Sequence, residues 1–332
     1  MNKPLNDNPP QVLIDHFRQL GPLRFDQWMQ KVLYDPSWGY YSQGDFIFGI
    51  QGDFITAPEL TPLFGQAMAL ALKPLVQSGL STIYEFGAGR GTLAKDLLSE
   101  LGSQVHQYVI VELSGRLKSQ QEKTITEGLP KEISEKVRWV STLPEQLSGI
   151  VIGNELLDAM PVRRFRWSSR GITEAFVEAK EHDFKMQYEQ ADLEFTEQIE
   201  ELHRTFGPWP EGYESEKSEQ VPAFVRTITD RLNGFCLMID YGLHAEQYYH
   251  ASHTRGHLRA HSRHTAHDDF LFAPGQQDLT CHVNFTDVFE AIEQSGGALE
   301  GYCSQASFLL HHGLMDAAAK NPDLTDPARG GP

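Results

Sequence analysis

The sequence is short of three things. Cysteine is scarce: Cys236, Cys281 and Cys303 are all there is in 332 residues, without metal-ligand spacing and too few to pair completely. That excludes a disulfide-built fold and a cysteine metal site, and leaves buried thiols in a reducing compartment as the expectation. Long apolar runs are lacking too. None approaches the roughly twenty residues of a membrane span, and the opening Met-Asn-Lys-Pro-Leu-Asn-Asp-Asn-Pro-Pro has no signal-peptide core. A soluble, cytoplasmic protein is expected. Positive charge is the third shortage. With 28 Lys and Arg against 45 Asp and Glu, the net charge is −17. A general nucleic-acid or membrane-surface role is disfavoured, and a basic protein partner, or a guanidinium or amine substrate, fits better.

What is present is a core-forming composition, 40% hydrophobic, enough for one large domain or one domain with a sizeable insertion. The chain is organised around residues 81–93, Ser-Thr-Ile-Tyr-Glu-Phe-Gly-Ala-Gly-Arg-Gly-Thr-Leu. An apolar strand over 82–86 runs into Gly87, Gly89 and Gly91, and a helical stretch over 92–101 follows at once. Glycines there allow a sharp turn and close approach of the backbone to a ligand. A second apolar run, 107–112, ends on Glu112, about twenty residues past the last glycine. Strand, glycine turn, helix, strand and terminal acid read as a nucleotide-binding βαβ unit. The spacing is G-x-G-x-G, with Thr92 where a dinucleotide fingerprint has its third glycine. A carboxylate at Glu85 would repel a pyrophosphate but suits a cationic ligand. S-adenosylmethionine carries an amino group, a sulfonium and a ribose diol that Glu112 could accept from. It is therefore the expected cofactor, with Glu85, Gly87, Gly89, Gly91, Glu112 and Leu113 around it.

Around this unit the pattern predicts helices over 11–20, 24–34 and from Thr61 to Val76. Between them lies a glycine- and aromatic-rich segment with Gly-Asp-Phe at 44–46 and 52–54, read as a hairpin or lid. Strands at 82–86, 107–112, 137–141 and 149–153 alternate with helices near 92–101, 114–126 and 143–147. That alternation predicts an α/β fold with a doubly wound, mostly parallel sheet. Residues 162–190 alternate like antiparallel strands, and 191–220 are polar and acidic. A helix near 221–233 and a fifth core strand, 234–242, follow. Seven of the fourteen histidines crowd into 244–267, where no cysteine joins them, so a solvated or substrate-facing loop is expected rather than a metal site. A helix at 284–295 and an apolar run near 298–310 come last. The expected organisation is an N-terminal helical and lid segment (1–80), a Rossmann-like core (81–161 and 221–314), an inserted α+β cover (162–220) and a polar tail (315–332).

Five stretches together resemble one family. They are Phe86-Gly-Ala-Gly-Arg-Gly-Thr-Leu, Gly52-Asp-Phe-Ile-Thr-Ala-Pro-Glu, Asn154-Glu-Leu-Leu-Asp-Ala-Met-Pro-Val, Ile239-Asp-Tyr-Gly and Gln277-Asp-Leu-Thr-Cys-His-Val-Asn-Phe-Thr. The chain resembles the MidA family of S-adenosylmethionine-dependent methyltransferases from about residue 22 to about 314. The glycine loop is generic to class I methyltransferases, whereas the Gly-Asp-Phe and Asn-Glu-x-x-Asp-Ala-x-Pro stretches are specific. The resemblance implies a class I methyltransferase fold and a protein substrate, with a respiratory-complex subunit as one option, because mitochondrial members are protein-arginine methyltransferases that assist complex I assembly. Two departures stand out. Gly256-His257-Leu258 replaces the family's Gly-Thr-Leu, and past Phe308-Leu-Leu the chain is polar where the family supplies a last strand. A homodimer is compatible with this reading.

Methyl transfer needs alignment and exclusion of water more than covalent help, because a sulfonium is already an activated leaving group. An arginine acceptor must also be gripped so that one nitrogen keeps its lone pair toward the methyl, which paired carboxylates can do. Glu155 and Asp158, three apart after the fourth strand, would share a face of a helical turn. They are the expected substrate clamp, with Asn154 orienting the substrate or the methionine end of the cofactor. Asp53, Thr56, Pro58 and Glu59 are expected in the lid, with Asp45 on the same segment, and Tyr241 in the acceptor pocket. Two competing readings are a nicotinamide oxidoreductase, which lacks a hydride-transfer pair, and an assembly factor that has kept the fold and lost catalysis.

Overall fold

The computed structural model describes residues 9–43, 56–262 and 265–320. In chain order its elements begin with α1 (Gln11–Leu20), β1 (Leu23–Arg24), α2 (Phe25–Tyr34), α3 (Tyr40–Gln43), α4 (Ala57–Leu60) and α5 (Pro62–Gln77). Next come β2 (Thr82–Phe86), α6 (Thr92–Leu101), β3 (Gln107–Val111), α7 (Gly115–Gly128), α8 (Lys131–Ser134), β4 (Val137–Val140) and β5 (Leu147–Asn154). They are followed by β6 (Arg163–Ser168), β7 (Gly171–Lys180), β8 (Asp183–Gln190), α9 (Leu193–Phe206), β9 (Tyr213–Lys217), α10 (Gln220–Arg231) and β10 (Leu232–Ile239). The chain continues through β11 (Gly242–Leu243), α11 (Ala245–Tyr248), β12 (Leu258–Ser262), β13 (Thr265–His267), β14 (Asp278–Cys281) and β15 (Val283–Asn284). Three helices close it: α12 (Phe285–Gln294), α13 (Gln305–His311) and α14 (Leu314–Lys320). The two Gly-Asp-Phe copies, and with them Asp45 and Asp53, lie outside the described residues.

The chain divides into two compact units. One holds Gly44–Leu156, Thr227–Asp240 and Ser295–Pro332. Its centre is a parallel sheet of order β10-β5-β2-β3-β4. Parallel strands covered on both faces read as continuous apolar runs, and Ile150, Val151 and Ile152 of β5 are fully buried. Helix α5 starts where the Thr61 side chain accepts the Leu63 N–H and Pro62 occupies the first turn. Its Phe64, Met68 and Leu72 join Leu97 and Leu101 of α6 and Ile83, Ile110 and Ile150 of the sheet in one core. The chain runs outward from β2 to β3 and β4, then returns to β5 and β10 on the other side of β2. The topological switch point is therefore between β2 and β5, beyond whose carboxyl ends such sheets bind ligands.

The other unit holds Met1–Gln43, Leu157–Arg226 and Tyr241–Gln294. An antiparallel sheet of order β1-β7-β6-β9, with β8 on β7, is backed by α2, whose Phe25, Trp28, Met29 and Leu33 are fully buried. A three-stranded sheet, β13-β12-β14, and the parallel pair β11 and β15 complete it.

Several expectations change here. Residues 143–147 form no helix. Pro144 interrupts the segment, and Arg231 Nη1 donates to the Pro144 carbonyl at 3.1 Å, so a side chain takes the place of a helical partner. The 162–220 strands are not a self-contained insertion. Leu23 and Arg24 pair with Val177 and Phe176 of β7, and 241–294 group with that sheet rather than with the core. Such long-range pairing has no local signature. Residues 298–304 carry no regular element, helix α13 begins at Gln305, and no strand follows β15 among the described residues. Of the cysteines Cys281 is buried, Cys236 is intermediate and Cys303 is exposed.

The antiparallel sheet buries charge by pairing it. Arg163 donates to Glu174 through Nε at 2.6 Å and Nη2 at 2.7 Å, to Asp192 at 2.7 Å and to Glu219 at 2.9 Å, and stacks 3.7 Å over the Phe195 ring. Arg164 pairs with Glu214 and with the fully buried Glu216. Removing one partner of a buried pair leaves the other charge uncompensated. Glu174→Ala is therefore expected to destabilise the protein by about 3 kcal/mol, and Glu219→Ala, half-exposed, by less than about 1 kcal/mol. Denaturant unfolding of the two variants checks the contrast.

Candidate functional site

At the carboxyl end of β2 the backbone turns through Gly87 (φ 67°), Gly89 (φ 52°) and Gly91 (φ 84°), and α6 starts at Thr92. All three glycines sit in the left-handed region that side chains disfavour. Two are also sterically pinned. A Cβ at Gly87 would lie 3.2 Å from Leu156 Cδ1, and one at Gly91 would lie 3.3 Å from Gln121 Cα. The turn leaves the first N–H groups of α6 without intrahelical partners.

Two acids flank the turn. Glu85 is buried, and its Oε2 accepts from Tyr108 OH at 2.8 Å. Burial pushes its carboxyl up to about 7, against the bond from Tyr108. Glu85 is thus not a plain carboxylate at neutral pH, and the charge argument against a pyrophosphate is weaker than its position in the sequence suggests. Glu112 follows β3. Its Oε1 accepts the Ser114 N–H at 2.8 Å and its Oε2 accepts from Gln121 at 2.9 Å. Burial raises its pKa, and these bonds oppose the rise. Each oxygen retains lone-pair capacity for a further donor such as a hydroxyl. Leu113, next in line, is 80% exposed.

At the end of β5, Asn154 Oδ1 is buried without a hydrogen-bond partner, an acceptor open to a ligand's donor. Glu155 takes φ 49°, and its N–H donates to the Ile239 carbonyl at 2.8 Å. Residues 154–161 form no helix, so the predicted helical face shared by Glu155 and Asp158 does not exist. The left-handed bend at Glu155 breaks the repeat, and the two residues fall in different units. Asp158, buried in a turn, has its carbonyl bonded by the Cys281 N–H at 2.8 Å. Asp240 Oδ2 accepts the Leu156 N–H at 3.0 Å, fixing the bend after β5 from the end of β10.

Of the expected lid residues, Thr56 precedes α4, Pro58 is buried, and Glu59 Oε1 accepts from Thr92 Oγ1 at 2.6 Å. The segment is thereby tied to the first residue of α6, directly after the glycine turn. Tyr241 is 60% exposed, and its carbonyl accepts the Val283 N–H. In the histidine-rich region His257 is buried and stacks on His282, with burial holding both imidazoles below their usual range. No three His, Cys, Asp or Glu side chains among the described residues are grouped to hold a metal ion.

The sequence reading missed Gln121 and Tyr108. One signal was available. Gln121 interrupts the helical stripe Leu117-Gln121-Ile125, all buried, and a polar residue on an apolar stripe needs partners. The glycine cradle, the Glu112 oxygens and the unpartnered Asn154 oxygen converge on three neighbouring strand ends, and suit a ligand with a ribose diol at one end and an amino group at the other.

The raised Glu85 pKa has a consequence for stability. A carboxyl whose folded pKa exceeds its unfolded value of 4.5 stabilises the fold fully below pH 4.5 and loses that contribution as pH rises through about 7. Wild type is expected to lose up to about 3 kcal/mol relative to Glu85→Gln over that window. Unfolding of both proteins at pH 4.5 and pH 8 measures it.

Comparisons with known proteins bear on the family and its cofactor. The family described as "Putative S-adenosyl-L-methionine-dependent methyltransferase" matches residues 67–303. The crystal structure of a "likely methyl transferase from Burkholderia thailandensis bound to S-adenosyl-homocysteine" is 38% identical, with a TM-score of 0.88 over 96% of this chain and 84% of that one. A Caenorhabditis elegans protein, "Protein arginine methyltransferase NDUFAF7 homolog, mitochondrial", is 29% identical over 92% of this chain and 76% of its own length. The Mus musculus protein of that name is 27% identical over 94% and 77%. These relatives are named as mitochondrial, which overturns the cytoplasmic expectation. Charge balance carries no information on that choice of compartment. The cofactor is S-adenosylmethionine, and the chain belongs to this family of S-adenosylmethionine-dependent methyltransferases, the MidA family that its motifs resemble.

Proposed function

We propose that the chain is a protein-arginine N-methyltransferase. The observation that carries this reading is that relatives aligning over nine-tenths of the chain are named protein arginine methyltransferases. The net charge of −17 supports it, since a basic peptide is drawn to an acidic surface.

In this reading Gly87, Gly89 and Gly91 let the backbone close on the cofactor. Glu112 accepts from the ribose hydroxyls, with Leu113 beside it, and Glu85 and Asn154 face the amino-acid end. When bound, the cofactor supplies a methyl group on a sulfonium. Glu155, on the bend after β5, holds the guanidinium so that one nitrogen lies in line with that methyl. Glu155 has the backbone of a functional position. A non-glycine residue in the left-handed region costs of order 1–3 kcal/mol and persists where its surroundings impose it. Thr56, Pro58 and Glu59, the last tied to Thr92, help exclude water beside the glycine turn, and the exposed Tyr241 meets the acceptor protein.

The test is transfer of a labelled methyl group into proteins of a cell extract, with mass spectrometry locating the methylated residue. Label on arginine is expected, and label on another residue type would overturn the acceptor assignment. Intact cofactor binding with no transfer to any protein would favour a non-catalytic assembly factor. Glu155→Gln should lower transfer by about 100-fold while S-adenosylhomocysteine binds unchanged. Full-rate transfer by this variant removes Glu155 from the acceptor site. Gly89→Val, which forces a β-branched residue into φ 52°, should abolish S-adenosylhomocysteine binding by titration calorimetry.

A further inference from the structure

Gln121 sits fully buried in α7, and every polar atom of its amide is engaged. Its Nε2 donates to the Gly89 carbonyl at 3.0 Å and to Glu112 Oε2 at 2.9 Å, and its Oε1 accepts from Trp139 Nε1 at 3.0 Å. The three bonds fix which way the amide faces. Turned over, its oxygen would oppose a carboxylate and a carbonyl, and its NH₂ would oppose the indole N–H. Its backbone and side chain also lie against Gly91, where a Cβ would come within 3.3–3.4 Å of the Gln121 Cα, Cβ and Cγ atoms. One side chain thus ties the glycine turn after β2, the acid after β3 and strand β4 into a single frame.

We infer that Gln121 is the positioning residue that aims Glu112 at the ribose of the cofactor and sets the distance between that acid and the glycine turn. The inference rests on the reading of Glu112 as the ribose acceptor. Glu112 is only partly buried, on a loop between β3 and α7, and a glutamate side chain there has three torsions to lose. The Ser114 N–H holds one oxygen and Gln121 the other, so the carboxylate plane is set before the ligand arrives. The remaining lone pairs are then presented together to a cis-diol, whose two hydroxyls can bond both oxygens at once. Preorganisation of this kind removes an ordering cost that would otherwise be subtracted from affinity. Gln121 touches no ligand atom in this scheme. It acts through Glu112 and through the Gly89 carbonyl.

The experiment is titration calorimetry with two ligands, S-adenosylhomocysteine and its 2′-deoxyadenosyl counterpart. Wild type should prefer the ribose ligand. Gln121→Met, which keeps length and loses both donors, should weaken S-adenosylhomocysteine about tenfold and leave the deoxy ligand nearly unchanged, so that the preference collapses. Gln121→Asn, still an amide but too short to reach Glu112, should do the same and serves if the methionine variant does not fold. Trp139→Phe keeps both Gln121 donations and should keep the preference. Equal weakening of both ligands by the Gln121 variants would make the residue a support for the turn alone and overturn the inference, as would an undiminished preference. A wild type with no preference, matched by Glu112→Gln, would sink the Glu112 reading itself and the inference with it.

Discussion

Everything at the ligand-binding end of the parallel sheet depends on one backbone constraint. Strand β2 must reverse into α6 within five residues, and it does so with Gly87, Gly89 and Gly91 all at positive φ. At two of these positions a Cβ would also be crowded, because Leu156 and Gln121 come within 3.2 and 3.3 Å of it. The turn therefore fixes its neighbours as much as they fix it. Leu156 can approach only because Gly87 lacks a Cβ, and Asp240 holds Leu156 through its backbone N–H. Gln121 can approach only because Gly91 lacks one, and from there it reaches Glu112 and Trp139. A site spanning the ends of β2, β3, β5 and β10 thus grows from one tight reversal.

The two units handle buried charge in opposite ways. In the antiparallel sheet, Arg163 and Arg164 are surrounded by Glu174, Asp192, Glu214, Glu216 and Glu219, so charges are kept and matched. In the parallel sheet, Glu85 accepts from the Tyr108 hydroxyl with no cation beside it among the described residues, and burial drives its carboxyl toward neutrality. A charge-matched sheet tolerates little substitution, since each deletion strands a partner. A carboxyl that titrates near neutral pH belongs where a cationic ligand comes and goes, because the arrival of positive charge restores the ionised form.

Much of the fold was legible because it is written in local periodicity. The strand over 82–86 and the helices over 11–20 and 92–101 are set by apolar spacing and by glycine or proline punctuation, and they stand where the spacing puts them. The failures share a cause. The helix near 143–147 is an expectation from strand–helix alternation, and Arg231, some ninety residues on, instead donates to a carbonyl there. The common helical face of Glu155 and Asp158 assumed that a spacing of three implies a turn of helix, whereas Glu155 is left-handed and the chain bends. The grouping of 241–294 with the core followed chain order, which β-pairing does not respect.

The sequence by itself determined the nature of the cofactor site. Glycine at 87, 89 and 91 is a chemical necessity of the close backbone turn, and the diol acceptor we propose at Glu112 needs an acid; necessities of that kind show in residue types. Only the tertiary structure decided which side chains hold those groups in place. Gln121 is nine residues from Glu112 and thirty-two from Gly89, and it becomes their common partner only when α7 packs beside the turn. Burial likewise decided that Glu85 titrates near neutrality, because a pKa reports surroundings rather than identity. Residue types name the chemistry a chain can do, and packing sets its geometry and its charge.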